Sequence, residues 1–230
     1  MVRPAVNGVG HPEVAIGEGM RQPNSIGLGR RHKVFMIDLN ICALGDGFVK
    51  GLGEPDQLGW AGRLVQAAQS EHGPINYYNL GIPGETSPRV AQRIPELSVR
   101  LPKGADNRLI VCCGLMDTFQ EAGLPGVTNL ESVDALKSLL LQSRAHFKML
   151  VIGLPPVYEP QRNARVKRLN GLMHDLCVKI RVPYIDLFSS LNDNVQYKRE
   201  LLQGDRLHPG SDGYNRVFEL IRNDRAWWFS

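Results

Sequence analysis

Near the C-terminal end of the sequence, Asp205-Arg206-Leu207-His208-Pro209 sets a carboxylate three residues before an imidazole, directly ahead of a proline and a helical pattern. A histidine taken alone is most often a surface or core residue. This setting lifts His208 above that default, because an imidazole held by a carboxylate can take a proton from a hydroxyl or a water. Three glycine-bearing segments stand earlier in the chain. They are Gly45-Asp46-Gly47-Phe48-Val49, then Asn79-Leu80-Gly81-Ile82-Pro83-Gly84-Glu85-Thr86, then Gly114-Leu115-Met116-Asp117. Read by themselves, Gly81 and Gly84 are turn glycines. Asp46 and Asp117 are structural acids, expected to tie the first and third loops together through backbone N–H groups.

Other chemistries fit less well. A dinucleotide fingerprint starting at Gly45 would need glycine where Lys50 stands, and Asn79 replaces the acidic residue that would end the second strand. Cys42, Cys112, Cys113 and Cys177 have no C-x-x-C spacing, so they read as buried thiols of a reducing compartment. His11, His32, His72, His146 and His174 form no ligand spacing, so no metal or cofactor is expected.

The elements that must carry these segments are legible from patterning. Short apolar, β-rich runs span 39–44, 75–80, 108–113, 149–154 and 182–187, recurring roughly every 35 residues, the length of a strand–helix unit. Near-continuous apolar runs such as Leu109-Ile110-Val111-Cys112-Cys113 suit strands buried on both faces. Between them lie helical patterns. One holds Val90, Ile94, Leu97 and Leu101 behind Thr86-Ser87-Pro88, a cap and a first-turn proline. Thr128-Asn129-Leu130-Glu131 opens the next as a capping box. A third carries Leu169, Leu172, Met173, Leu176, Cys177 and Ile180 on one stripe, with its Arg and Lys residues on a solvated face. The last holds Tyr214, Val217, Phe218 and Ile221, with Ser211 as its cap. This alternation predicts an α/β fold: a doubly wound, parallel five-stranded sheet between two helical layers. Ligands of such sheets sit at the carboxyl ends of the strands, where all four segments fall.

Bulk properties narrow the class. The 230 residues are 43% hydrophobic and 22% charged, a globular balance. A net charge of +4 is too small to argue for nucleic acid. No apolar run approaches a membrane span, and no secretory signal opens the chain, so a cytoplasmic location is expected. Residues 1–33, rich in Gly, Pro, Asn and Arg, read as a disordered tail ahead of a single domain at 34–230, with Met36 a candidate start of translation. Trp227-Trp228-Phe229 is expected to pack on the domain.

The four segments, in this order and at these strand ends, resemble the blocks of the SGNH or GDSL family of esterases and lipases, over about residues 39–222. The first block extends the likeness through Lys50-Gly51-Leu52-Gly53-Glu54-Pro55 and Gly59-Trp60, and Asp205-x-x-His208-Pro209 matches the last. The resemblance implies the flavodoxin-like, three-layer SGNH-hydrolase fold and ester hydrolysis by acyl transfer. It implies His208 as general base, Asp205 as its orienting carboxylate and the Gly81 N–H as an oxyanion donor. It also exposes two departures. The family serine falls at Gly47, which has no side chain, and the oxyanion asparagine falls at Met116, which cannot donate. Losing one oxyanion donor costs about 100- to 1,000-fold in rate, and without the serine no acyl-enzyme forms by this route.

No replacement nucleophile stands out. Ser87 and Ser211 read as helix caps, Cys112 and Cys113 lie within a strand, and no G-x-S-x-G elbow occurs. A water beside Gly47, activated by His208, is the remaining route. Two readings follow: a hydrolase of small-molecule esters or acyl groups, impaired by these losses, or a non-catalytic binder of such ligands that keeps the pocket.

Overall fold

The computed structural model describes residues 39–121 and 124–230. The expected tail at 1–33, its boundary with the domain and Met36 lie outside the described residues. Five parallel strands form the main sheet in the order β2-β1-β3-β6-β7: β1 Leu39–Gly45, β2 Asn76–Gly81, β3 Asp106–Cys112, β6 Lys148–Ile152 and β7 Tyr184–Ile185. A two-stranded antiparallel ribbon, β4 Gln120–Glu121 with β5 Leu124–Pro125, stands apart from it. The chain runs from β1 outward to β2, then crosses back to β3 on the other side of β1. The topological switch point therefore lies between β1 and β3, where Gly45 pairs with Cys112.

The helices are α1 Gly47–Lys50, α2 Gly59–His72, α3 Ser87–Gln92, α4 Ile94–Arg100, α5 Asn129–Ser143, α6 Pro160–Ile180, α7 Phe188–Leu191, α8 Val195–Gln203 and α9 Ser211–Arg222. α2 and α8 pack on α9, while α3 and α6 pack on α5, making the two helical layers. Ile41 to Leu44 of β1 and Leu109 to Val111 of β3 are wholly buried, as their unbroken apolar runs require. Each Ile, Leu and Val among them contributes about 1.5–3 kcal/mol by leaving water. Edge strand β2 is only half-buried until Gly81. Trp227 is buried, and the Arg108 guanidinium stacks over the rings of Trp228 and Phe229.

The expected helix from Val90 to Leu101 is two helices, broken at Arg93 with Pro95 in the next turn. Proline cannot donate to the preceding turn, so the hydrogen-bond ladder restarts there. The last strand is shorter than the 182–187 run. Pro183 lacks an N–H, and Asp186 Oδ1 accepts the Phe188 N–H at 3.0 Å, turning the chain into α7. The capping box on α5 is present, with Thr128 and Glu131 bonding reciprocally. Ser87 and Ser211 are not caps. Each is the first residue of its helix, after Thr86 and Gly210. The start of α9 is held instead by Glu200 of α8, whose carboxylate accepts the N–H groups of Asp212 at 3.2 Å and Gly213 at 2.6 Å.

Candidate active site

β1 ends at Gly45 and the chain turns at once into α1. Asp46 caps it, its Oδ1 accepting the Phe48 N–H at 3.0 Å. A single helical turn is not stable by itself, and three other elements hold this one. Trp60 Nε1 of α2 donates to Phe48 O at 3.1 Å, Asn79 Nδ2 of β2 donates to Val49 O at 3.0 Å, and Tyr214 of α9 donates to Leu52 O at 2.6 Å. The loop beyond is fixed by buried Glu54, which accepts the Gly59 N–H at 2.9 Å and pairs with Arg63. That hydrogen bond from Arg63 is the main reason the Glu54 carboxyl is held below its usual range.

His208 faces the first residue of α1. Its Nδ1 lies 2.6 Å from Asp205 Oδ2, while Asp205 Oδ1 accepts the backbone N–H groups of Leu207 at 2.8 Å and His208 at 2.7 Å. Burial raises the Asp205 carboxyl, but hydrogen bonds from the His208 ring and the two N–H groups outweigh it and hold the group below its usual range. The imidazole is only 6% exposed. A Cβ placed on Gly47 would sit 2.8 Å from His208 Nε2 and 2.8 Å from Leu52 Cδ1. The ring nitrogen thus points at the place from which a side chain at 47 would project, and the two side chains fill that place. Gly53 makes this approach possible. It has φ +91°, and a Cβ there would lie 2.5 Å from Pro209 O.

The second segment meets α1 directly. A Cβ on Gly81 would lie 2.3 Å from the Lys50 nitrogen, so only glycine lets β2 end against this turn. The Gly81 N–H donates to Asn79 Oδ1 at 2.9 Å, so in this structure a side chain engages it.

In the third segment, Met116 opens a 3₁₀ turn through Thr118. Its Sδ is 4.0 Å from Nη2 of Arg162, on the first turn of α6. Arg162 is only 7% exposed, donating from Nε to Thr118 Oγ1 at 3.1 Å and from Nη2 to Leu115 O at 3.0 Å. The loop leading into α6 touches the histidine loop, where the Tyr158 N–H donates to Arg206 O at 3.1 Å. Lys167, Arg168 and Lys179 are solvated as expected. Arg162 is not, because α6 begins nine residues before Leu169, at Pro160. The signal for that start was present: Glu159 caps and Pro160 follows at the first helical position.

The two structural acids act differently from expectation. Asp117 Oδ1 accepts the Ser87 N–H at 2.8 Å, joining the third loop to the second, while Asp46 serves its own helix. The tie between first and third loops is not made, because each carboxylate satisfies the nearest orphaned N–H of a helix start. Asp46 Oδ2 and Asp117 Oδ2 are both buried without a partner. Burial drives the Asp46 carboxyl up to about 7, the Phe48 N–H opposing and the Asp117 charge adding.

The four cysteines are buried and unpaired. Burial raises Cys42 and Cys177 to about 12, and Cys112 and Cys113 well above their usual range. Among the described residues no group of three His, Cys, Asp or Glu side chains could hold a metal ion, and no helix is long and apolar enough to cross a membrane. A groove of about 480 Å³ between Lys103 and Phe147 lies at the opposite end of the sheet, where β3 and β6 begin, and includes none of these residues.

Known proteins share this architecture. No curated protein matches the sequence. Among solved structures, the lipase/acylhydrolase from Enterococcus faecalis superposes with a TM-score of 0.64 at 20% identity, covering 80% of this chain and 93% of its own. Axe2, an acetylxylan esterase from Geobacillus stearothermophilus, gives 0.69 at 19% identity, covering 84% and 95%. A lipolytic protein of the G-D-S-L family from Veillonella parvula gives 0.66 at 17% identity, covering 80% and 96%. The sequence pattern of the GDSL-like lipase/acylhydrolase family matches residues 43–216, a span that runs from β1 into α9 and takes in the three segments after β1, β2 and β3 and the loop of Asp205 and His208 after α8, and by that match the chain belongs to this family.

Proposed function

We propose that this chain keeps the acyl-ester pocket of an ester-hydrolysing enzyme, with hydrolysis impaired by the missing nucleophile. The observation that carries this reading is the His208 imidazole, paired with Asp205 and aimed at a residue that has no side chain. In acyl transfer the base takes the proton of a hydroxyl held within hydrogen-bond reach, and the carboxylate behind it stabilises the imidazolium. Asp205 and His208 supply that half. The attacking half is absent at Gly47, and Met116 brings no donor to the oxyanion. The ligand class is a small-molecule ester or its acyl group.

A binding protein without turnover is the second reading. The buried, protonated cysteines favour it, since no thiolate stands in for the serine. The readings part on turnover. Short p-nitrophenyl esters and a fluorophosphonate probe test them, with His208→Ala as control. The expected result is no covalent labelling, and hydrolysis that does not fall in the His208→Ala variant. Prompt labelling, lost in His208→Ala, would refute the claim of a missing nucleophile.

A further inference from the structure

Arg162 is a buried cation without a buried anion to match it. Its guanidinium donates to neutral acceptors, Leu115 O, Thr118 Oγ1 and Met116 Sδ, and its carbon lies 5.4 Å from the centroid of the Phe119 ring. No carboxylate lies within ion-pair distance of it among the described residues, and its Nη1 has no hydrogen-bond partner there. The acids whose charges reach it, Asp46, Glu159 and Asp205, stand beyond ion-pair distance. Asp205 Oδ1 and Oδ2 hold the histidine loop, and Asp46 caps α1 while burial favours its neutral form. Arg165, one turn further along α6, adds repulsion and donates to Thr118 O at 2.9 Å. Burial first, and then the Arg165 charge, hold the Arg162 guanidinium below its usual range. Burying a charge without a counter-charge costs several kcal/mol, and a planar guanidinium with an open N–H edge is the protein group best shaped to take a carboxylate.

The placement puts the guanidinium beside the site. Arg162 touches Met116, the residue standing where the family's oxyanion donor would be. The loop just ahead of Arg162 is hydrogen-bonded to Arg206, between Asp205 and His208.

We propose that Arg162 makes this pocket a receptor for a free carboxylate, so that its ligand is an acid and not the corresponding ester. The inference rests on the acyl-pocket reading above and deepens it. A carboxylate entering between Met116 and His208 would complete the charge of Arg162, and no bond would need to be made or broken.

The test compares acetate, butyrate and octanoate with their methyl esters. Binding is followed through the NMR signals of the Met116 methyl and the His208 ring, in the natural chain and in Arg162→Met and Arg162→Lys. In the natural chain at least one acid should bind at least tenfold more tightly than its ester. Arg162→Met should remove that preference, a loss of about 10- to 100-fold for a charge-assisted hydrogen bond. Arg162→Lys should keep only part of it, since an ammonium cannot make the fork. Arg162 also braces the turn at Thr118, so circular dichroism must show each variant folded. If Arg162→Met does not fold, the acid–ester comparison and Arg162→Lys decide. Esters that bind as well as acids at the His208 signal would overturn this inference and leave the acyl pocket standing. An acid preference unchanged in the variants would overturn it too. Binding of neither class would sink the acyl-pocket reading itself, and this inference with it.

Discussion

On one wall of the site, the Asp205–His208 loop makes every contact that an imidazole base needs, at 2.6 to 2.8 Å. On the other wall, α1 is held as firmly, by Trp60, Asn79 and Tyr214, yet presents Gly47 and no reactive atom. The contrast shows that framework and chemistry are separable. The bonds that fix α1 and the loop just after it run through backbone carbonyls, so none of them depends on what side chain residue 47 carries. The side chain at 47 can therefore change without loosening this turn.

The largest effect should come from making the walls equal. Gly47→Ser with Met116→Asn should raise hydrolysis of short p-nitrophenyl esters well above the parent and above either single mutant, with the amide alone supplying about 100- to 1,000-fold relative to Gly47→Ser. Activity should vanish in His208→Ala. The new Cβ requires the His208 ring to retreat slightly from its 2.8 Å approach. A folded double mutant with no activity would show that positions 47 and 116 are misassigned.

Next, the frame can be set against the vacancy by adding one methyl to each. Gly81→Ala drives a Cβ to 2.3 Å from the Lys50 nitrogen, where only backbone can yield, and should cost about 3 kcal/mol or more in urea unfolding. Gly47→Ala meets only the movable ends of His208 and Leu52, and should cost about 1 kcal/mol. Equal costs would erase the distinction.

Asp205→Ala strips three acceptor contacts from the histidine wall and should cost about 1–2 kcal/mol at pH 7. Because the folded Asp205 carboxyl is held low, its contribution is present at neutral pH. It is lost as pH falls below the unfolded value of about 4 toward the folded one. The gap between natural and variant melting temperatures should therefore narrow in acid.

Asp46 should behave in the opposite sense, an effect read from the pH profile alone. Its folded value of about 7 lies above the unfolded one, so the native state holds an extra proton between them. Its contribution is full at pH 4, declines as pH rises to 7 and is level above. Asp46→Asn keeps an acceptor for the Phe48 N–H and should flatten the stability profile over that interval. An unchanged profile would place the missing charge compensation elsewhere.

Much of this was legible from the chain. The five apolar runs are the five strands of the sheet, and the first three segments follow β1, β2 and β3; the fourth does not follow a strand, because α7 and α8 stand between β7 and Asp205. Local chemistry decides those features: β-rich runs buried on both faces, the reciprocal cap of Thr128 and Glu131, the Asp205 carboxylate three residues before His208. Local rules also misled where a distant partner competed. Glu200 of α8 took the capping role expected of Ser211, and Pro95 split a helix whose apolar stripe was unbroken.

The sequence by itself determined which residues could do chemistry and which could not, since a glycine at 47 and a thioether at 116 lack the necessary atoms in any fold. Only the tertiary structure decided what surrounds them. The closeness of His208 Nε2 to Gly47 and the burial of Arg162 against Leu115 and Thr118 are contacts between elements far apart in the chain. Such contacts follow from how strands order and helices pack, and no periodicity along the chain records them.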